Sequence, residues 1–439
     1  MQNSTIAAHT TNTLFTNAPS SKRDAKEEAQ LEKTRTISII EGLFASVSSG
    51  FGEAYISAFA VAINSSNTMI SLITAVPNLI APISQAFTPK VMEKYGRKRI
   101  VVPGVFIQAC MWIAFAIVAF LFMNGFQYSP YLLLLFFTIY AILGHFTAPA
   151  WLSWMGDIIP ENKGEYWGMR STICGIMVIV TTFAAGVFLD AFNNINLMFG
   201  FAIIFLISFV GRTFSSYFFT KHYEPKLKLP EGYYFSFFDF IKRMWGNNYG
   251  KYVMFIALGT FAGTICGPFI AVYMLRGLQF DYILFTVVTL AASVANIATL
   301  PLWGKYVDKH GDLKVLWLTG IGVCFGPLLW AVSGNVYYLV AIQVFNGIVS
   351  AGFGIATTNY FFDAVTPQRR SLCSAYSAIL NGVGIFFGSI IGGILLLFDF
   401  GINPFIFIFL VAGILRLILS LAMLPQIKEV NKHIIAADG

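Results

Sequence analysis

The stretch EKYGRK at residues 93–98, a short polar turn between two apolar segments, decides the fold. A phrase of the same build, DKHGD at residues 308–312, follows another apolar segment in the second part of the chain. Each copy has an acidic residue, a basic residue, one further residue and a glycine in the same order. Such a repeat predicts two halves of similar structure, and two halves that move against each other are the design of a membrane carrier.

The composition is that of a protein whose surface faces lipid. Of 439 residues, 57% are hydrophobic and only 11% are charged, whereas ordinary domains contain roughly 25% charged residues. A helix needs ~20 mostly apolar residues to cross a bilayer, and the chain has twelve such segments. These predicted spans are residues 38–62, 69–92, 100–123, 131–154, 166–189, 195–219, 251–275, 281–303, 314–333, 336–361, 372–397 and 402–424. The sequence therefore predicts an all-α membrane protein with twelve transmembrane helices.

Basic residues predict the orientation of these spans, because loops rich in Lys and Arg stay on the cytosolic side. With a cytosolic N-terminus, Arg276 is the only Lys or Arg that falls on the outer side. Both termini are therefore expected in the cytosol, and the protein in the cell (plasma or inner) membrane as a multi-pass protein. Arg212 and Arg416, in the last span of each half, are expected to reach toward the cytosol or to bond helix ends. The net charge of +7 follows from this bias and gives no reason to expect nucleic acid as a partner.

The longest internal loop divides the spans into six and six. The predicted organisation is a disordered cytosolic tail over 1–35, a six-helix half over 36–219, a cytosolic linker over 220–250, a second six-helix half over 251–424 and a cytosolic tail over 425–439. In the linker, one face at helical spacing contains Phe237, Phe238, Ile241, Met244 and Trp245. This pattern predicts a short amphipathic helix in the membrane interface, although a partner-binding helix would have the same pattern.

The repeat, the twelve spans and the loop sequence resemble the major facilitator superfamily, over about residues 36–425. The family's loop signature is a glycine, an acid four residues on, then a base, a spacer, Gly and Arg. The second copy keeps Gly304, Asp308 and Gly311, whereas the first has Pro89 in place of the first glycine and Glu93 in place of the aspartate. The resemblance implies the twelve-helix fold and a transport activity, but no substrate.

Two departures bear on the subfamily. Drug–proton antiporters of this superfamily usually carry an arginine in span four and a glycine-proline signature in span five. Here the fourth span, 131–154, has no arginine and the fifth, 166–189, has no proline. These departures speak against a typical drug antiporter and leave export open. The segment WLSWMGD at residues 151–157 resembles little-studied prokaryotic members.

Two ionisable side chains lie deep in predicted spans. Glu53 is near the middle of span one, in a polar stripe with Ser46 and Ser49, and His145 is near the middle of span four. An ionisable group at a helix centre costs at least ~2.5 kcal/mol, so it is a functional candidate by default. The resemblance implies that spans one, four, seven and ten line a central cavity. We therefore predict that Glu53 and His145 bind or relay protons; the alternative is that each is a structural residue bonded to a neighbouring helix.

Neutral polar residues on the predicted cavity faces are candidates for binding the substrate. Amides and hydroxyls there suit a polar solute that is uncharged or zwitterionic. Small and hydroxyl residues also promote close helix packing in membranes, so for a single Ser or Thr both interpretations stay open. The candidates are Ser46, Ser49, Thr260, Thr264, Asn296, Gln343 and Asn346.

Charged residues and glycines around the two loop copies are predicted to form a cytosolic gate. Ion pairs that break and re-form there would favour one conformation over the other. The alternative is simple solvation of loop ends, where a surface ion pair contributes only ~0–1 kcal/mol. The predicted gate residues are Glu93, Gly96, Arg97, Asp157, Arg170, Gly304, Asp308 and Gly311.

The sequence thus predicts a secondary active transporter, a symporter that moves a small organic solute by alternating access with protons as the coupling ion. It is expected to act as a monomer in the lipid bilayer, with no cofactor and no metal. No Walker, GxSxG, HExxH or CxxC motif occurs, so neither an ATP-driven pump nor an enzyme is expected. The alternatives are proton-driven efflux of amphipathic drugs or toxicants, and a membrane sensor or scaffold that transports nothing.

Overall fold

The computed structural model describes residues 25–159, 163–225, 236–366, 369–399 and 401–429, and these ranges contain helices and loops but no strand. Within them, 11 helices are long and apolar enough to cross a membrane. The helices are α1 Ala25–Phe51, α2 Ile56–Ala62, α3 Asn67–Gln85, α4 Thr88–Tyr95, α5 Lys98–Met123, α6 Ser129–Ile158, α7 Lys163–Asn193, α8 Leu197–Thr220, α9 Phe237–Met244, α10 Asn248–Thr264, α11 Ile270–Val272, α12 Tyr282–His310, α13 Asp312–Trp330, α14 Val336–Ala364, α15 Arg370–Leu395 and α16 Pro404–Met423. The predicted all-α membrane fold is confirmed.

The first predicted span is not a continuous helix. After α1 ends at Phe51, residues Glu53–Tyr55 form a single 3₁₀ turn, and α2 completes the crossing. A methyl group at Gly52 would lie 2.4 Å from the Trp112 ring, so the break lies where the chain passes directly against α5. Span seven is interrupted in the same way, by a 3₁₀ turn at Gly267–Phe269. With the interrupted first span, the described chain contains the twelve predicted crossings in two sets of six.

Short polar side chains begin many of these helices. Each accepts a hydrogen bond from a backbone N–H two or three residues on, which satisfies a donor that the helix itself leaves unpaired. The residues that cap in this way are Ser66, Asn196, Ser236, Asn247, Asp281, Asn335 and Asn403.

The N-terminal boundary differs from the prediction. The sequence predicts a disordered tail over 1–35, but α1 already begins at Ala25. Its Leu31 and Thr34 are buried, and the Thr34 hydroxyl accepts a hydrogen bond from Tyr223 N. The charges in this segment therefore belong to a helix that packs against its own half, because packing and not composition orders it. The tail over 1–24, the linker part 226–235 and the C-terminal tail from 430 lie outside the described residues.

The buried core shows how the two halves meet. One cluster contains residues of both halves, among them Tyr55, Phe205 and Trp330. A second cluster combines the second half with residues of the linker, and a third contains no residue of the second half. We call the end with the shared cluster, where α2 contacts α11, the closed end. The loop end is the one that carries both loop copies, at 93–98 and 308–312, and there each half keeps its own core.

Glycines bring the halves into close contact along two helix pairs, α3 with α15 and α7 with α12. A methyl group at Gly382 would lie 2.1 Å from the carbonyl oxygen of Asn78, and one at Gly393 would lie 2.0 Å from Ser71 Oγ. Only residues without a side chain allow helix backbones to approach so closely. The contact between halves is therefore made by backbone and small polar groups.

The linker helix α9 lies where the sequence predicts it, with Ser236 as its N-cap. Its orientation differs in one respect: Phe240 and Met244 are buried against the second half, whereas Phe238 and Trp245 are 74% and 62% exposed. The helix thus packs one apolar side against the second half and leaves other apolar side chains exposed. Its place at the membrane interface stays a prediction.

Candidate functional site

Glu53 occupies the first position of the 3₁₀ turn that interrupts the first span, and its side chain is exposed. Its Oε1 accepts a hydrogen bond from the hydroxyl of Tyr140 on α6. Tyr140 is buried and packs edge-on against the Trp112 ring. Glu53 is therefore bonded to its own half on one side and exposed on the other. Its place in a central cavity stays a prediction.

A line of buried polar groups begins behind Tyr140. The side-chain amide of Gln108, on α5, donates to the Tyr140 carbonyl oxygen at 3.2 Å. The Gln108 carbonyl oxygen in turn accepts two hydrogen bonds from Arg212, at 3.0 Å from Nε and 2.7 Å from Nη2. The sequence predicts that Arg212 reaches toward the cytosol or bonds helix ends, but the structure pairs it with this side-chain amide. Its guanidinium is held inside the first half by an amide.

The same line continues to a buried ion pair. Arg212 Nη1 donates to Ser215 Oγ at 3.4 Å, and the Ser215 hydroxyl donates to Glu41 Oε1 at 2.7 Å. The other carboxylate oxygen of Glu41 accepts a hydrogen bond from Arg170 Nη2 at 3.0 Å. Glu41 is only 2% exposed, and both of its oxygens are bonded, which is what a buried charge requires. Arg170, predicted as a gate residue, is thus one partner of an ion pair between α1 and α7.

The sequence did not single out Glu41. Glu41 stands three positions inside the predicted first span, and this position could have indicated a buried carboxylate. It is so close to the boundary, however, that the sequence alone suggests a charge at a helix end. Its partners Arg170 and Ser215 come from α7 and α8, and nothing in a single sequence links these positions. The second deep arginine, Arg416, donates to the carbonyl oxygen of Val323 at 3.3 Å, and no carboxylate of the described residues forms an ion pair with it.

His145 lies on α6 with Tyr140, but the structure does not pair it with Glu53. Its Nδ1 is 2.9 Å from the side-chain nitrogen of Gln85 on α3. An amide nitrogen can only donate, so Nδ1 accepts and the ring proton is on Nε2. Tyr140 and His145 are five positions apart on one helix, about 140° around its axis. The contact with Gln85 favours the alternative interpretation, in which His145 is a structural residue bonded to a neighbouring helix.

The amides predicted to bind substrate in the second half lie together. Asn346 donates to the side-chain oxygen of Gln343 at 3.1 Å, both on α14. Asn296, on α12, donates to the backbone oxygen of Gly347 at 3.4 Å. All three amides are partly exposed. They form a small polar group where α12 crosses α14.

Two of the four predicted hydroxyl candidates have partners in their own helices. Ser46 is buried and donates to the carbonyl oxygen of Gly42 at 2.8 Å. Thr264 donates in the same way to the carbonyl oxygen of Thr260 at 2.9 Å. Such bonds leave little capacity for a ligand and favour the packing interpretation for these two residues. Ser49 is partly exposed on the stretch of α1 that precedes Glu53.

The first loop copy is tied to its own half. Arg97 is fully buried and its Nη1 lies 2.5 Å from Asp157 Oδ2, while Nη2 donates to the Pro225 carbonyl oxygen at 2.6 Å. Glu224 Oε1 accepts hydrogen bonds from the backbone N–H groups of Arg97 and Lys98, at 2.7 Å and 3.2 Å. An anion is stabilised there because these N–H groups begin α5. Glu224 was not predicted.

The second loop copy has the same construction. Gly96 and Gly311 end their helices with φ of +79° and +84°, a conformation that favours glycine. A methyl group at Gly96 would lie 3.3 Å from Glu224 Oε1, and one at Gly311 would lie 3.0 Å from Glu429 Oε1. Each half thus brings a glutamate from the segment after its last helix to its own loop glycine.

The remaining predicted gate residues lie around these loops. Asp308 and Glu93 are exposed, and a methyl group at Gly304 would meet no atom within 4 Å. The structure therefore brings Arg97 and Asp157 together and pairs Arg170 elsewhere. Their role as a gate stays a prediction.

The chain was compared with known proteins. A family model described as Major Facilitator Superfamily matches residues 42–266 and 252–438. The Multidrug resistance protein MdtG of Serratia proteamaculans (strain 568) is 28% identical over 148 residues, which cover 34% of this chain and 34% of that protein. The matched segment is thus about a third of that relative's length.

Solved structures extend the likeness over both halves. The nucleoside transporter NupG superposes with a TM-score of 0.66 and 13% identity, covering 90% of this chain and 99% of that one. The xylose transporter XylE from E. coli, in an inward open conformation, superposes with a TM-score of 0.65 and 13% identity, covering 92% and 97%. At such low identity the likeness establishes the fold alone.

Proposed function

Because the chain belongs to the Major Facilitator Superfamily, we propose that it is a secondary active transporter that moves a small organic solute by alternating access and couples this movement to protons. Two similar halves that share a core at one end and have separate cores at the other support alternating access. Such an arrangement lets each half rotate as a unit about a central site.

The observation that carries proton coupling is the environment of Glu53. Its bonded partner is the neutral hydroxyl of Tyr140, and no ion pair to Glu53 occurs among the described residues. A proton can therefore bind to Glu53 without leaving a buried cation unpaired. Glu41 is the opposite case, because protonating it would leave Arg170 without its counter-ion. Glu53 is thus the better proton site of the two.

The amides of Asn296, Gln343 and Asn346 are the proposed substrate contacts in the second half. Partly exposed amides offer both donors and acceptors, which suits a polar solute. His145 is left outside the proton path because its Nδ1 already accepts from Gln85.

Flux measurements test the coupling. A thermal-shift screen of sugars, amino acids, carboxylates and drugs first identifies a ligand, and its uptake into proteoliposomes is then measured under an imposed pH gradient. Uptake should follow the gradient in the wild type, and Glu53→Gln should abolish that dependence. Glu32→Gln is the matched control, since Glu32 is an exposed glutamate of α1. Flux that ignores the gradient in the wild type would contradict proton coupling and indicate a uniporter.

A second candidate function is proton-driven efflux of amphipathic drugs or toxicants. The similarity to MdtG, whose name describes multidrug resistance, favours it. Cells that express the chain would then tolerate hydrophobic toxicants better than cells that express Glu53→Gln. Equal tolerance in both strains would contradict efflux and leave the uptake of a polar solute.

For location, we propose the plasma or inner membrane, with the loop end and both termini in the cytosol and the chain acting as a monomer. The distribution of Lys and Arg supports this orientation, since Arg276 alone falls on the other side. A cysteine introduced at the exposed Val332, near the closed end, should then react in intact cells with a reagent that cannot cross the membrane. Reaction only after permeabilisation would reverse the orientation.

A further inference from the structure

Tyr55 lies at the third position of the 3₁₀ turn that begins with Glu53. Its ring is fully buried in the core that the halves share. Its hydroxyl is 2.7 Å from the carbonyl oxygen of Thr182 in the first half and 2.6 Å from Thr286 Oγ1 in the second half. One short turn therefore holds the exposed carboxylate and a hydroxyl that bridges the two halves.

This bridge has fewer hydrogens than contacts. Thr286 Oγ1 is also 2.6 Å from the carbonyl oxygen of Tyr282 in its own helix. One phenol and one threonine supply two hydroxyl hydrogens, so the three contacts cannot all be hydrogen bonds at once. The contact between the two halves, which we call the seam, is also tight here. A methyl group at Gly186 would lie 2.2 Å from Thr286 Oγ1 and 2.8 Å from the Tyr55 hydroxyl. A movement of the turn by about 1 Å would take these groups out of hydrogen-bond distance.

The second half shows what the turn looks like without this chemistry. Its first span is interrupted by the 3₁₀ turn Gly267–Phe269. Glycine stands there where the first half has Glu53, and the fully buried ring of Phe269 stands where the first half has Tyr55. The interrupted helix therefore needs neither a carboxylate nor a hydroxyl. Both polar groups are additions specific to the first half.

We propose that Tyr55 is the positioning residue that transmits the protonation state of Glu53 to the contact between the halves; this inference rests on the proposed proton coupling. Ionised Glu53 accepts a charge-assisted hydrogen bond from Tyr140, which fixes the turn against α6 and holds the Tyr55 hydroxyl at Thr286. A proton on Glu53 removes the charge, and a neutral hydrogen bond is roughly half as strong. The turn then moves, the bridge to Thr286 breaks and the closed end opens.

Spin labels across the closed end test this without a known substrate. Cysteines at Thr68, on α3, and Val332, after α13, are labelled in a background in which the native cysteines are replaced. In the wild type, lowering the pH should add a longer distance to the distribution, as the proposed coupling requires. Tyr55→Phe keeps the ring and removes only the hydroxyl, so the longer distance should already be populated at the higher pH, by about fivefold over the wild type.

Thr286→Val removes the partner hydroxyl and should reproduce the effect of Tyr55→Phe, with no further change in the double variant. This second variant keeps the test sharp if Tyr55→Phe does not fold. Thr289→Val is the matched control, because the Thr289 hydroxyl bonds the Phe285 carbonyl oxygen of its own helix at 2.8 Å, and it should behave as the wild type.

Proton-driven flux of the ligand found in the thermal-shift screen is measured on the same variants in proteoliposomes. If the wild type responds to pH in both flux and distance, and Tyr55→Phe and Thr286→Val respond identically to it, the role of Tyr55 is overturned while proton coupling stands. If neither flux nor distance of the wild type responds to pH, both proposals are overturned.

Discussion

At the scale of single residues, the ion pair of Glu41 with Arg170 should be costly to break. Both side chains are largely shielded from water, with 3% and 12% of their side-chain surface exposed. Arg170→Gln leaves a buried carboxylate without its counter-ion, and such losses destabilise by about 3–5 kcal/mol. The variant should therefore melt at a clearly lower temperature in detergent.

A double variant separates charge from packing at this site. In Arg170→Gln with Glu41→Gln, no unpaired charge remains, so much of the lost stability should return. A double variant that is no more stable than Arg170→Gln alone would show that the arginine acts through its contacts with the Trp151 and Trp167 rings and not through its charge.

His222 predicts a pH dependence of stability. It follows α8 outside the membrane-spanning segment, is 1% exposed and packs between the rings of Trp154 and Phe219. Burial, and then the positive charges of Lys98 and Arg170, lower the pKa of its imidazole from 6.5 to about 4. Between these values the unfolded chain binds the proton and the folded one does not. The contribution of neutral His222 to the free energy of unfolding is therefore complete above about pH 6.5 and is lost as the pH falls toward 4.

The loss over that range should be about 3 kcal/mol at most. Melting temperatures of the wild type and His222→Phe, measured at several pH values, check it: the variant should lose less stability on acidification. His310→Phe is the control, since His310 stacks on Tyr306 in the second loop copy. Equal acid sensitivity in the wild type and His222→Phe would assign the effect to other groups.

At the scale of helices, Gly382 decides how closely α15 approaches α3. Its missing side chain leaves room for the Asn78 carbonyl oxygen. Gly382→Ala should therefore push the halves apart at this seam and cost about 1–3 kcal/mol. Gly354→Ala, on α14 with no atom within 4 Å, is the matched control and should be neutral or stabilise by up to ~1 kcal/mol. A stable Gly382→Ala variant with an unchanged spin-label distance would contradict the importance of this contact.

The helices also show what a sequence can and cannot predict. Hydropathy and charge predict the number of crossings, because each needs its own apolar length. They do not predict the break at Glu53–Tyr55, since a 3₁₀ turn preserves the apolar pattern. Glu53 could be found from its depth alone. Glu41 and Tyr55 could not, because their importance comes from partners on distant helices.

At the scale of the whole molecule, Arg276 holds the closed end together. Its guanidinium donates to the carbonyl oxygens of Val61 and Ser65 across the seam, at 2.8 Å and 2.9 Å. This gives a role to the one basic residue that departs from the charge pattern of the sequence. Arg276→Gln removes at least one of these two hydrogen bonds, so it should increase the population in which the closed end has opened by at least about fivefold. The spin-label pair at Thr68 and Val332 would report it.

A control for this variant is Lys221→Gln, which removes a cation that lies over the Tyr217 ring and touches no residue of the seam. It should leave the distance distribution unchanged. If Arg276→Gln gives the wild-type distribution as well, the two hydrogen bonds of Arg276 do not hold the closed end.

Glu224 and Glu429 make each half self-sufficient while the chain is being synthesised. The glutamate next to each loop glycine is supplied by the segment that follows the last helix of the same half, and Glu224 bonds its loop directly. The first six helices can therefore be completed before the second six leave the ribosome. A gene cut in the linker should accordingly yield two polypeptides that assemble in one membrane. A cut in the gene before Glu224 instead of after it should weaken that assembly, because the first polypeptide then lacks this glutamate.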